Sequence, residues 1–375
     1  MKENEYWTRK RIVNVCPDAQ YYMIFGERSN GKTYDFLFHS FLDYIKTGNQ
    51  FAYCRRWQED FRGKRGKELC KTLVCNGKGE NVIDKYTKGK WNDVEYKNGM
   101  FYLCRYDDEI NEKVLDAEPM GFAFVLSAQE HEKSIAYPKI TNIALDEFLT
   151  RTQYLPDEFV VFMNLISTIV RLRDNVTIWM LGNTISFSCP YFQEMGIKNV
   201  KKMQVGDIDV YQYGDSGLKV AVEFSGFKTK KKKSNVYFAF DNPKLSMVRG
   251  DGKVWEIGLY PHLPQKYDHT NILFTYFIIF EGDILQCEII DVDDGVFTYI
   301  HQKTTPIRKK DDIIFKTEYS IHPNEFRKLN HPQTKIEANL YDFFLRDKVF
   351  YQNNEVGEIV RNYFEWCDRS GREEI

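Results

Sequence analysis

GERSNGKT, Gly26 to Thr33, is the stretch on which the fold turns. It satisfies G-x-x-x-x-G-K-[ST] at every fixed position. Gly26 and Gly31 let the backbone curl so that its N–H groups face phosphate oxygens. Lys32 brings a point charge to the outer phosphates, and the Thr33 hydroxyl suits a Mg²⁺ coordination site. Ser29 and Asn30 belong to the same cradle. The flanks fit. Ala19 to Phe25 is an aromatic and apolar run of strand length. Tyr34 to Gly48 follows, with Leu37, Phe41, Tyr44 and Ile45 at helical spacing and Gly48 as its stop. A plain glycine turn before a helix is the alternative. A strand, a glycine turn and a helix in that order aim loop amides and a positive helix end at an anion. ATP with Mg²⁺ is therefore the expected ligand pair.

The chain has 375 residues, 43% hydrophobic and 28% charged, with a net charge of −2. That is a globular composition, long enough for two domains. The 28 Phe and 24 Tyr predict aromatic cores. Near-zero net charge does not mark a nucleic-acid binder, although it hides local patches. The longest apolar run, Ile272 to Phe280, is strand-sized, and MKENEYWTRKR has no signal-peptide core, so the expected location is cytoplasmic. Eight scattered cysteines are expected to be free thiols there.

Strands are expected at Gln50–Arg56, Phe101–Tyr106, Gly121–Leu126, Asn142–Asp146 and Val176–Gly182, with a helix over Pro156–Arg173. This alternation predicts an α/β domain with a mostly parallel sheet over residues 1–210. Residues 61–97 look like an insertion, with ten Lys or Arg against five Asp or Glu. They read either as a solvated loop or small β-excursion, or as a surface for a polyanion. Residues 211–239 are expected to be a linker or hinge region; within them the run Gly214 to Asn235 combines glycines with a basic cluster, Lys228 and Lys230 to Lys233, and reads as a linker or a hairpin near the hinge. From 240 to 375 a smaller α+β domain is expected. It opens on a meander, Ile272–Phe280, Ile284–Val292 and Val296–Tyr299, and closes on helices at Ile336–Leu345 and Glu355–Trp366.

KITNIALDEFL, Lys139 to Leu149, supplies a second chemical site. An Asp-Glu pair at a strand end fits a Walker B element. Asp146 would hold Mg²⁺ opposite Thr33, and Glu147 would polarise a water for in-line attack on the γ-phosphate. The chain lacks the N-K-x-D guanine reader. The pair points to the additional-strand, catalytic-glutamate (ASCE) class of P-loop ATPases. Asn183, ending NVTIWMLGN, reads equally as a γ-phosphate sensor or as a Gly-Asn turn. Arg171 and Arg173 end the preceding helix, where compensation of the helix dipole is the simpler role.

Several segments in order resemble one family: FAYCRRW at 51–57, EKSIAYP at 132–138, LDEF at 145–148, NLISTIVRLRD and LGNTISFSCPYF. The last third adds FTYFIIFEGDILQCEIIDVDDG and FFLRDKVFYQNNEVGEIVRNYF. Together they resemble the DNA-packaging ATPases of small short-tailed bacteriophages, the salasmavirus type. The resemblance implies a homomeric ring, a pentamer, at the portal (connector) of an empty capsid. There ATP hydrolysis would drive translocation of double-stranded DNA, with no membrane involved and the protein visiting the portal vertex from the host cytoplasm. Whether a structural RNA takes part is open. The resemblance maps a trans-acting arginine finger onto Arg171 and a second trans contact onto Lys133. Arg55 becomes the residue holding Glu147 inactive until DNA is gripped, and Arg28 a phosphate contact. Gln58 stands where the family has a basic DNA-facing residue, so Arg56, Arg62 or Lys64 would substitute. Arg151 in the second pore loop and Lys230, Lys231, Lys232 and Lys233 are further DNA candidates. The C-terminal domain is expected to resemble an inactive RNase-H-like nuclease. Rival readings are another ring ATPase, such as a helicase or extrusion motor, and an ATP-switched adaptor. DNA-stimulated turnover separates motors from the adaptor.

Overall fold

A computed structural model describes residues 6–28, 30–107, 111–131, 136–150, 154–183, 186–226, 258–292, 295–307 and 311–370. They fall into two compact units, one ending at 226 and the other starting at 258 among the described residues.

The first unit is built on ten strands: β1 (Tyr21–Gly26), β2 (Gln50–Arg55), β3 (Asp93–Lys97), β4 (Met100–Asp107), β5 (Glu112–Leu115), β6 (Gly121–Val125), β7 (Ile140–Asp146), β8 (Thr177–Leu181), β9 (Ile208–Tyr213) and β10 (Leu218–Ser225). Their order is β3-β4-β6-β2-β7-β8-β1-β10-β9, with β5 beside β4. From β6 through β10 every neighbouring pair is parallel. Both edges are antiparallel. One strand, β8, thus lies between β1 and β7.

Successive side chains on a strand point to opposite faces. Met23, Leu145, Met180 and Val222 therefore join one core, while Tyr22, Ile24, Ala144 and Trp179 join the other. Helix α2 (Lys32–Thr47) covers the second face through Phe36, Leu37 and Phe41. Helix α6 (Glu158–Val170) covers the first through Phe162, Leu165 and Ile169. A parallel strand covered on both faces must be apolar throughout, and all six residues of β1 are buried. Gly48 stops α2 as expected, at φ 79 and with its N–H on the Tyr44 carbonyl at 2.8 Å.

Two regional expectations need correction. Residues 61–97 are no solvated loop. They form three short helices, α3 (Arg65–Leu69), α4 (Lys71–Val74) and α5 (Val82–Thr87), and then β3. Cys70, Leu73, Val82, Ile83 and Trp91 bury themselves in the same core as α2. Nor is 211–239 a linker throughout: β9 and β10 form an antiparallel hairpin, one of the two readings of this run, and Val220, Ala221, Val222 and Phe224 are buried where β10 pairs with β1.

The second unit carries β11 (Ile272–Phe280), β12 (Asp283–Val292), β13 (Gly295–Gln302), β14 (Ile313–Lys316), β15 (Glu325–Phe326) and β16 (Val349–Tyr351). Their order is β15-β14-β11-β12-β13-β16. The central meander is antiparallel, and the outer three pairings are parallel. Helices α8 (Lys335–Leu345) and α9 (Asn354–Ser370) close the unit. Thr334 and Glu337 cap α8 reciprocally, at 3.2 and 2.8 Å. Among the described residues no helix is long and apolar enough to cross a membrane.

Candidate active site

The carboxyl ends of β1, β2, β7 and β8 meet on one edge of the sheet, the usual place for a ligand in an open α/β sheet. β1 ends at Gly26, whose φ is 152. A Cβ there would lie 1.9 Å from the Ser225 carbonyl oxygen, so only glycine lets β10 approach. Gly31, at φ 97, then turns the chain into α2. Asn30 is buried and donates from Nδ2 to Ser225 Oγ at 3.0 Å, which in turn donates to the Phe25 carbonyl at 3.0 Å. Ser225 is a support of the loop that the linker reading hid. Arg28 is exposed; Ser29 lies outside the described residues.

Lys32 is buried. Its Nζ donates to the Glu27 carbonyl at 2.8 Å and to Asn183 Oδ1 at 3.5 Å. The tip of β8 therefore touches the lysine of the loop. Gly182, just before Asn183, passes close against the Phe148 ring, which a Cβ at that position would approach to 2.8 Å.

β7 delivers Asp146 and Glu147. Asp146 is buried; its Oδ1 accepts from the Glu147 N–H at 3.1 Å. Its Oδ2 accepts from the Tyr53 hydroxyl and from Arg55 Nη2, the latter at 2.7 Å. Arg55 Nη1 lies 3.2 Å from Glu147 Oε2, so one guanidinium at the end of β2 grips both carboxylates. Burial works against the Arg55 charge, but Asp146 leads the groups that outweigh it, and its pKa rises. Burial, reinforced by Asp146, holds the Tyr53 phenol far above its usual pKa. Glu147 sits at φ 59 with its side chain 55% exposed. A left-handed conformation at a non-glycine residue is costly, and such strain clusters at working sites. The Thr33 hydroxyl and Asp146 carboxylate are hard oxygen donors. With phosphate oxygens and water they match what Mg²⁺ takes.

A strand–P-loop–helix carrying a lysine, beside an Asp-Glu pair one strand away, can be compared with known proteins. The Podovirus DNA encapsidation protein (Gp16) family model matches residues 2–247. The chain belongs to this family. It is 29% identical over 350 residues to the DNA packaging protein of Bacillus phage phi29, covering 91% of this chain and 92% of that protein. A 179-residue stretch, 46% of this chain and 47% of the relative, is 30% identical to the DNA packaging protein of Bacillus phage B103. In fold it is similar to the bacteriophage Phi-29 viral genome packaging motor assembly, at TM-score 0.55 and 20% identity over 98% of this chain and 99% of that one. The Phi-28 gp11 DNA packaging motor gives 0.52 at 17% identity over 97% and 98%.

The remaining candidates of this encapsidation-family chain divide. Arg171 caps α6 at φ 52 and is exposed. Arg173 folds back and donates to five carbonyls, those of Tyr137, Pro138, Ile140, Ile169 and Val170, at 2.7 to 3.3 Å. It ties the end of α6 to the start of β7. α6 stops at Val170 rather than running to Arg173, the backbone leaving the helix at Arg171 with φ 52. Arg56, a candidate for DNA contact in the sequence, is turned into the protein instead. It is 6% exposed and forms a bidentate pair with Glu158 at 2.6 and 2.7 Å. It also donates to the Glu147 and Phe148 carbonyls and lies over the Tyr154 ring. Arg62 and Lys64 are exposed. Lys133, Arg151 and Lys230 to Lys233 lie outside the described residues.

Tyr53 and Glu158, like Ser225, escaped the sequence reading. The signal for Tyr53 was present: it stands two before Arg55 on the same strand, hence on the same face.

Proposed function

We propose that the first unit is an ATPase of the ASCE class and the motor of a genome-packaging ring. It would couple ATP hydrolysis to translocation of double-stranded DNA into an empty capsid. A homopentamer seated at the portal is the expected assembly. One observation carries this reading: Asp146 and Glu147 end a strand separated from the P-loop strand by β8 alone, and the tip of β8 reaches Lys32.

In this reading the amides of Gly26 to Thr33 cradle the phosphates, with Arg28, Ser29 and Asn30 lining the loop. Lys32 neutralises the outer phosphates. Thr33 and Asp146 hold Mg²⁺, which when bound neutralises charge developing on the γ-phosphoryl group. Glu147 orients the attacking water. Asn183, through Lys32, senses the γ-phosphate. Arg171, with Lys133, supplies positive charge to the site of a neighbouring subunit, a role worth about 10³–10⁵ in rate where it has been characterised. The Arg55–Glu147 contact would hold the glutamate back from the attacking water, and release of that contact by DNA would start turnover.

DNA contact falls to exposed cations, among them Arg62 and Lys64, with Arg151 and Lys230 to Lys233 as further candidates. The second unit is read as an inactive relative of RNase-H-like nucleases. An antiparallel meander extended by parallel strands supports this. β11 and β14 hold no Asp or Glu, while β12 carries Asp283, Glu288 and Asp291, so the carboxylates do not converge from different central strands as a two-metal site needs.

The deciding experiment pairs Lys32→Ala with Glu147→Gln, both assayed with DNA present. Lys32→Ala should lose ATP turnover. Glu147→Gln should bind ATP at near wild-type affinity and hydrolyse it at least about a hundredfold more slowly. Wild-type turnover by Glu147→Gln would sink the assignment.

A further inference from the structure

Asp146 Oδ2 is fully occupied. A carboxylate oxygen has two lone pairs, and here Tyr53 and Arg55 each donate to this one. A metal-bound water must also donate to the carboxylate: at Oδ2 it must displace one of them, and Oδ1, already accepting from the Glu147 N–H, offers it a single lone pair. The two donors differ in how readily they leave. Tyr53 is wholly buried in mid-strand, whereas the Arg55 side chain is 21% exposed at the end of its strand. Its other nitrogen rests on Glu147, itself half exposed. A guanidinium against Asp146 also repels any second cation approaching the same carboxylate.

We propose that Arg55 and the nucleotide-bound divalent cation are mutually exclusive occupants of Asp146. The arginine that holds Glu147 then also gates metal entry. Tyr53 is the positioning residue that keeps Asp146 aimed once Arg55 has left. This rests on the reading of Asp146 as the metal-holding carboxylate. It adds that the resting site is closed to Mg²⁺ as well as to water attack, so both locks open by one side-chain movement.

The test measures binding, not turnover. A fluorescent ATPγS analogue is titrated into the full chain in EDTA and in saturating Mg²⁺, and the ratio of the two Kd values reports metal–nucleotide linkage. Arg55→Gln and Arg55→Met should each raise that ratio at least about fivefold over wild type, the lower end of ordinary coupling. Saturable binding in EDTA and an unchanged far-UV spectrum establish that the variants fold. Asp146→Asn should lower the ratio, and Tyr53→Phe should lower it by less. If Asp146→Asn lowers the ratio while both Arg55 variants match wild type, mutual exclusion is wrong and the metal assignment stands. If Asp146→Asn leaves the ratio unchanged, the metal assignment fails and takes the proposal with it. A wild-type ratio in Tyr53→Phe would remove Tyr53 from the account.

Discussion

Arg55 and Arg56 are adjacent in sequence and opposite in duty. Strand alternation sends Arg55 toward Asp146 and Glu147, and Arg56 toward Glu158 at the start of α6. Arg56 and Glu158 are both buried, so removing one partner strands the other's charge. Arg56→Ala should therefore cost about 3–5 kcal/mol of stability, read from urea unfolding. Loss of DNA affinity by Arg56→Ala with unchanged stability would return Arg56 to the DNA surface. Replacing Arg62 and Lys64 together by Gln should instead reduce the salt dependence of DNA binding by about two phosphate contacts, at little cost in stability. An unaltered slope would clear both residues of DNA contact. The phosphate loop and the acidic pair were legible because each is a local pattern. Arg56's fate was not, since its partner lies 102 residues away and no local pattern marks Glu158 as buried.

At the scale of elements, β1, α2, β2, β7, α6 and β8 were legible from apolar runs and helical spacing. β10 was legible only in part. Its apolar run sits between a glycine turn and a lysine cluster, which read as a linker or a hairpin near a hinge; β9 and β10 do form a hairpin, but nothing local marks that β10 also pairs with β1 inside the sheet. The short helices of residues 61–97 escaped for another reason: four to six residues do not complete enough turns to show a face. The two accounts of residues 218–225 differ measurably. A linker exchanges its amide hydrogens almost freely, whereas a strand held between β1 and β9 opens only with the sheet. Hydrogen exchange by mass spectrometry should show 218–225 protected to the same order as Tyr21–Gly26. Exchange of 218–225 within seconds would restore the linker.

At the scale of the assembled molecule, the question is whether one subunit completes the site of the next. Within a single chain, Arg173 is committed to five carbonyls, while Arg171 stands exposed at the end of α6. If Arg171 only compensated the helix end, Arg171→Ala would cost at most about 1 kcal/mol and leave turnover largely intact. As a trans-acting group it behaves differently: rings of Arg171→Ala subunits should bind ATP yet turn over at least about a thousandfold more slowly. Rings of Glu147→Gln subunits should be inactive as well. In mixed rings, a subunit with intact Glu147 can sit beside one with intact Arg171, which neither homomeric ring allows. Steady-state ATPase with DNA present should therefore be near zero at both ends of a mixing series and rise between them. Complementation of this kind cannot arise if both groups act on their own subunit's nucleotide, because every subunit in the mixture then lacks one of them. A flat line at zero across the series, with assembly confirmed by sedimentation, would place Arg171 outside the shared site.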